Sequence, residues 1–198
     1  NDLKEKPGKP MMRIIQTSSS HEPFDVPYHH LQDKVLNAFA YTDACVGRFV
    51  DYLKRSGRWK RSLIILIPDH LGCYPADISE FKVERYQIPM IWLGGVVKAP
   101  YVVESYGSQH DLAATLLGQL GISHASFIFS KDMLDSRAPH FAFFTYPDLW
   151  GMATEEQQMI YDNVAGKTVL YRGKRGRSAM EKQGKAYLQE LYNDIARR

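Results

Sequence analysis

The 198 residues contain only two cysteines, Cys45 and Cys73. Two cannot build a disulfide framework, and their spacing matches no zinc pattern. Long hydrophobic runs are missing too. The longest covers residues 63–68, far short of the ~20 apolar residues of a membrane helix. The first ten residues are polar and broken by Pro7, Gly8 and Pro10, so no secretory signal is visible there. Neither sign of charge dominates: 25 Lys and Arg face 22 Asp and Glu, a net +3 that does not point to nucleic acid. There is no phosphate-cradling glycine loop, no Gly-x-Ser-x-Gly elbow and no dinucleotide fingerprint, so the common nucleotide-binding and serine-hydrolase signatures are absent.

What is present is the composition of a folded domain. Hydrophobic residues make up 44% and aromatics 12%, which excludes a disordered or low-complexity chain. A chain this long buries roughly 70% of its unfolded surface as one domain. The expectation is a single domain over residues 1–198. With no initiator methionine, it reads as a piece of a longer protein.

Periodicity sets the elements. Residues 11–16 read as a short strand and residues 29–56 as one long helix. Leu31, Val35, Phe39, Val46, Phe49 and Leu53 form the helix's inward stripe, with Cys45 a small buried hydrophobe on it. Gly57 is its stop, and Gly47 within it implies close helix packing. Residues 63–67, Leu-Ile-Ile-Leu-Ile, read as a central strand, apolar on both faces. A further strand is expected over 89–93 and a helix over 111–120. That alternation defines an α/β sheet covered by helices. Beyond it, residues 126–130, 141–146, 159–162 and 168–172 read as short strands of a small antiparallel extension, and 179–195 as a closing helix. From residue 171 onward there are eight basic and three acidic residues. This basic end could touch anionic lipid or phosphate, or form an ordinary solvated helix face.

The chemistry concentrates after the central strand, where Asp69 and His70 follow Pro68 directly. In open α/β sheets the ligand site lies outside the carboxyl ends of the strands. A carboxylate and an imidazole there suit Zn²⁺ or Mn²⁺ if the chain bends so that both face one ion. The alternative is that Asp69 caps the next helix and His70 is an ordinary surface residue. His21 ends a Ser-Ser-Ser-His loop. Its hydroxyls and ring could hold an anionic ester oxygen, or form a plain polar loop. His110 opens a helix beside Asp111, itself a good cap. His29, His30, His124 and His140 have no context that raises them.

Several segments then converge. Ser20-His21-Glu22-Pro23-Phe24, residues 41–49, Ile67-Pro68-Asp69-His70, Ile88-Pro89-Met90 and residues 107–117 stand in one family's order. Over roughly residues 12–150 the chain resembles the C-terminal half of a sulfatase-family protein of the lipoteichoic acid synthase, or phosphoglycerol transferase, type. That family belongs to the alkaline phosphatase-like superfamily. The resemblance implies an α/β sandwich with a mixed sheet flanked by helices. It implies a divalent metal, Mn²⁺ or Zn²⁺, with Ca²⁺ or Mg²⁺ as alternatives. Asp69 and His70 match two of its ligands, and His21 matches a catalytic histidine that contacts the transferred phosphate or sulfate. The nucleophile, a threonine or formylglycine, and the other ligands would lie in the missing N-terminal half. Implied partners are that half and a phospho- or sulfo-ester substrate such as a lipid headgroup or glycan. The parent would be membrane-anchored with its catalytic domain outside the cytoplasm. The isolated piece is expected to be inactive and prone to self-association. Cys73-Tyr74-Pro75-Ala76-Asp77 lacks the Ser-Arg of the sulfatase formylglycine segment and is rejected as one. Leu71 and His110 depart from the family pattern, and His110 is not carried over as a ligand.

Overall fold

The computed structural model describes residues 10–72, 74 and 77–198. Cys73 and most of the rejected segment around it lie outside the described residues. Two compact units emerge: one runs to Ile64 and includes Leu93–Lys98, the other comprises Ile65–Trp92 and Ala99–Arg198.

The first unit is built on helix α1, Lys34–Arg55. It starts five residues later than periodicity suggests. Asp33 caps it, its side chain accepting from Leu36 N at 2.9 Å. The preceding coil is held instead by the buried Asn37. Its Oδ1 accepts from His30 N and Leu31 N, and its Nδ2 donates to the Leu31 and Asp33 carbonyls. A side chain that satisfies these backbone groups removes the drive to continue the helix. The helix ends as expected, with Lys54 and Arg55 in the last turn and Gly57 at φ 71°.

Four expectations for this unit fail. Residues 11–16 form no strand, and Ile14 is 88% exposed. No strand among the described residues pairs with this segment, and an extended chain without a neighbour leaves its ladder unmade. The stripe on α1 is buried only at Leu53, while Leu31 and Phe39 are exposed. Cys45 is half-buried, with Arg48 Nη2 donating to its sulfur at 3.0 Å. At Gly47 an added Cβ would meet nothing within 4 Å, so the implied close packing is not seen.

Strand β1, Ile64–Leu66, pairs with β2, Ile91–Leu93. Their positions match expectation, but β1 is half-buried throughout rather than covered on both faces. Among the described residues β2 is its one sheet neighbour, and a two-stranded ribbon cannot enclose a strand.

The second unit also holds helix α2, Leu112–Gln119, and an antiparallel sheet of β3 Ala142–Tyr146, β4 Leu149–Ala153, β5 Gln158–Asp162 and β6 Lys167–Arg172. Helix α3, Arg177–Arg197, packs on that sheet. Alternation divides the sheet's faces. Trp150, Met152, Met159 and Tyr161 meet Met180, Tyr187, Leu188 and Leu191 of α3. Leu149, Ala153 and Ile160 meet Val83 and Tyr86 on the other side. The core therefore sits around β4 and β5.

Strand β4 is the element that pattern reading does not anticipate. Leu-Trp-Gly-Met-Ala has a glycine at its centre and is buried at every position, so no polar alternation marks it. Gly151 stands opposite Phe144, whose ring covers the place of its Cβ. Gly184 on α3 plays the same part for the fully buried Trp150. Residues 126–130 turn rather than extend. Phe127 N donates to His124 O and Ser130 N to Phe127 O, while the Ser130 hydroxyl accepts from Ala114 N of α2.

Candidate active site

Past Leu66 the chain leaves regular structure, and Pro68, Asp69 and His70 follow in a bend. Proline fixes the backbone torsion at Pro68. Asp69 Oδ1 accepts from His70 N at 3.0 Å. This local bond turns the carboxylate towards the next residue. Its Oδ2 lies 3.6 Å from His70 Nε2. His70 Nδ1 meets the Leu71 carbonyl at 3.1 Å. A proton on Nδ1, donated to that carbonyl, leaves the Nε2 lone pair facing the carboxylate, the arrangement a metal-binding histidine adopts. Both side chains are open to solvent, Asp69 at 82% and His70 at 73% exposure.

A cation ligated tetrahedrally through bonds of about 2.1 Å needs donors about 3.4 Å apart. The oxygen and nitrogen stand at 3.6 Å. The pair thus fits as two members of a ligand set for a borderline or hard divalent ion. It is not a whole set: among the described residues, no group of three or more His, Cys, Asp or Glu could hold a metal.

Behind the bend lies a network that motif reading only half finds. Ser108 and Asp111 form a capping box around the turn Gln109–Asp111 that leads into α2. Ser108 stands at the cap of this turn; Asp111, at the cap position of α2, makes no side-chain capping bond there, and its Oδ2 instead reaches back and accepts from Ser108 N at 2.7 Å. The Ser108 hydroxyl also accepts from Phe143 N and donates to Phe143 O, tying the turn to β3. Asp111 is fully buried. It accepts from Lys131 N at 2.8 Å and from Lys131 Nζ at 2.9 and 2.7 Å. Lys131 in turn lies over the Phe141 ring, 4.0 Å from its centroid. The Ser-x-x-Asp spacing was the available signal for this box; nothing in the sequence marked Lys131. Gln109, within the turn, donates from Nε2 to the Pro68 and Asp69 carbonyls at 2.6 and 3.0 Å.

His110 faces away from ligand chemistry. Its Nε2 meets the Tyr187 hydroxyl of α3 at 3.1 Å, and that hydroxyl donates to Phe129 O. Partial desolvation, with 40% of the side chain still open to solvent, holds the His110 pKa below the ordinary histidine range, partly offset by Asp111 and reinforced by Lys131. Burial also pushes Tyr187 up to about 12. The unfolded chain therefore binds the His110 proton more readily than the folded one. The associated stability is complete above the ordinary histidine pKa of about 6.5 and is lost as pH falls. Thermal unfolding between pH 7.5 and 5 is expected to show a smaller fall in midpoint for His110→Gln than for the wild type. Equal slopes would show that His110 does not carry this dependence.

His21 belongs to the first unit. Its amide donates to Ser18 O at 3.1 Å, Phe24 N donates back to His21 O at 2.9 Å, and its exposed ring meets Glu22 O through Nδ1 at 3.0 Å. The Ser19 and Thr42 hydroxyls, 3.0 Å apart, tie this turn to α1. Two surface depressions, of about 430 and 570 Å³, are lined by neither His21 nor Asp69 nor His70.

The fold is shared with solved structures. A protein in the alkaline phosphatase superfamily from Vibrio parahaemolyticus matches over 90% of this chain and 48% of its own, with a TM-score of 0.70 and 20% identity. The lipoteichoic acid synthase LtaP from Listeria monocytogenes matches over 90% of this chain and 51% of its own, with a TM-score of 0.63 and 21% identity. The chain itself belongs to the Sulfatase family, whose model matches residues 1–122. Among curated relatives, Phosphoglycerol transferase I of Xanthomonas campestris pv. campestris is 27% identical over 146 residues. That match covers 67% of this chain and 20% of the relative. The protein of the same name from Xanthomonas axonopodis pv. citri matches to the same extent. The chain thus spans about a fifth of the length of these relatives. Among the described residues no helix is long and apolar enough to cross a membrane.

Proposed function

We propose that this chain is the C-terminal part of a metal-dependent enzyme that cleaves or transfers a phosphoester, in the manner the name phosphoglycerol transferase describes, and that Asp69 and His70 supply two of its metal ligands. The observation that carries the reading is the 3.6 Å approach of Asp69 Oδ2 to His70 Nε2 at the carboxyl end of β1. Family membership and the relatives' names support the substrate class. A sulfate ester would present the same tetrahedral, anionic group to the same residues.

Asp69 contributes negative charge and a hard oxygen, and His70 contributes Nε2, its ring oriented by the contact of Nδ1 with the Leu71 carbonyl. Mn²⁺ or Zn²⁺ between them would act as a Lewis acid, polarising the ester oxygen and lowering the nucleophile's pKa. His21 stabilises charge on the transferred group or gives a proton to the leaving oxygen. The nucleophile and remaining ligands come from an N-terminal segment of the same protein. That segment would also cover exposed apolar residues such as Met12 and Ile14 in the first unit and Tyr101 and Val102 in the second. A membrane anchor for the parent and a catalytic domain outside the cytoplasm belong to the same reading.

Glycerophosphate release from an anionic glycerophospholipid, and hydrolysis of aryl phosphate and aryl sulfate, test it in the full-length protein with and without chelator. Metal-dependent phosphoester turnover by the full-length protein, and none by the 198-residue chain, is the expected result. Turnover of aryl sulfate alone would make the enzyme a sulfuric ester hydrolase. Absence of both Mn²⁺ or Zn²⁺ binding and ester turnover in the full-length protein would favour a non-catalytic anion- or glycan-binding domain. Chelator-insensitive turnover by the 198-residue chain would overturn the reading.

A further inference from the structure

We infer that Gln109 is a positioning residue that sets the geometry of the Asp69–His70 pair by clamping the two peptide carbonyls on either side of Asp69. The inference rests on the proposed metal role of that pair.

The side-chain amide of Gln109 has two N–H groups and spends them on consecutive carbonyls, Pro68 O at 2.6 Å and Asp69 O at 3.0 Å. One carbonyl belongs to the peptide plane entering Asp69, the other to the plane leaving it. Holding both planes fixes the direction of the Asp69 Cα–Cβ bond between them. The second plane also carries His70 N, which donates to Asp69 Oδ1. The clamp therefore reaches both members of the pair through the backbone, without touching either side-chain donor.

The bend needs such support. Strand β1 ends at Leu66, and residues 67–72 carry no regular structure. The clamp is itself anchored. Gln109 lies between Ser108 and Asp111, both buried, and Asp111 is locked to Lys131 and Ser108 to β3. A rigid turn is thus coupled to an exposed bend about forty residues earlier. A neutral amide suits the position. A lysine or arginine could donate the same bonds, but would bring positive charge towards a site that must attract a cation.

Gln109→Met keeps the length and removes both donors; Gln109→Glu keeps the shape and turns donors into acceptors facing two carbonyls. In full-length protein stripped of metal, amide exchange at His70, whose N–H donates to Asp69 Oδ1, is expected to accelerate in both variants. The thermal midpoint should stay near wild type, because Gln109 is exposed. Calorimetric titration with Mn²⁺ alone is expected to give a Kd weakened about 10- to 100-fold, the range for partners that orient metal ligands. A fall in kcat should accompany it and be partly restored by excess Mn²⁺. A Kd equal to wild type in both variants overturns the inference, whatever exchange does, provided Asp69→Ala weakens Mn²⁺ binding. If Asp69→Ala leaves Mn²⁺ binding unchanged, or the wild type binds none, the metal reading fails and the inference with it.

Discussion

Asp69→Ala and His70→Ala, each made in the full-length protein, are expected to lower kcat/KM by about 10²–10⁴-fold. Lewis-acid stabilisation in such sites contributes several kcal/mol, and each 1.36 kcal/mol is tenfold in rate. Neither change should alter the stability of the metal-free protein by more than about 0.5 kcal/mol, because both side chains stand in solvent, at 82% and 73% exposure. That separation marks a functional pair. Asp69→Asn sharpens it: the amide oxygen can still accept from His70 N, but the negative charge that draws a cation is gone. It should fall close to Asp69→Ala in kcat/KM. Steady-state kinetics with saturating Mn²⁺, beside chemical denaturation without it, reads both quantities. Activity within threefold of wild type in all three variants would remove Asp69 and His70 from the site.

The largest stability effect is expected at Asp111. Its carboxylate is fully buried and receives Ser108 N, Lys131 N and Lys131 Nζ. Asp111→Ala strands the Lys131 ammonium, 12% exposed, beside a new gap and orphans two backbone donors. Breaking a buried pair from one side costs about 3–5 kcal/mol. Removing both charges with groups of similar size costs less, so Asp111→Leu combined with Lys131→Met should be more stable than Asp111→Ala alone. Urea denaturation of the three proteins measures this. A loss below about 1 kcal/mol for Asp111→Ala would show that the network is not what locks the turn before α2.

The sequence was informative where chemistry is local. The end of α1 was visible because a glycine and two basic residues mark it, and β3, β5, β6 and α3 followed from runs of apolar and aromatic residues. Asp69 and His70 could be singled out because they follow an apolar run without an intervening turn. The start of α1 was not, because Asn37 takes up the preceding coil's backbone groups through its side chain. Strand β4 escaped notice because its central glycine exists to receive the Phe144 ring, a cross-strand fact. Burial was overestimated on α1, on β1 and over residues 11–16, since an apolar pattern states which face could be covered and not whether a neighbour covers it. Gln109 had no signal at all. A neutral polar residue in a turn looks like solvent-facing filler until its partners appear about forty residues away.

The central claim, that Asp69 and His70 share one cation, is tested most directly by anomalous scattering at the zinc edge from crystals of the full-length protein loaded with Zn²⁺. The expected result is a peak about 2.0–2.2 Å from both an Asp69 carboxylate oxygen and His70 Nε2. A zinc peak held by other residues, with these two side chains facing only water, would contradict it.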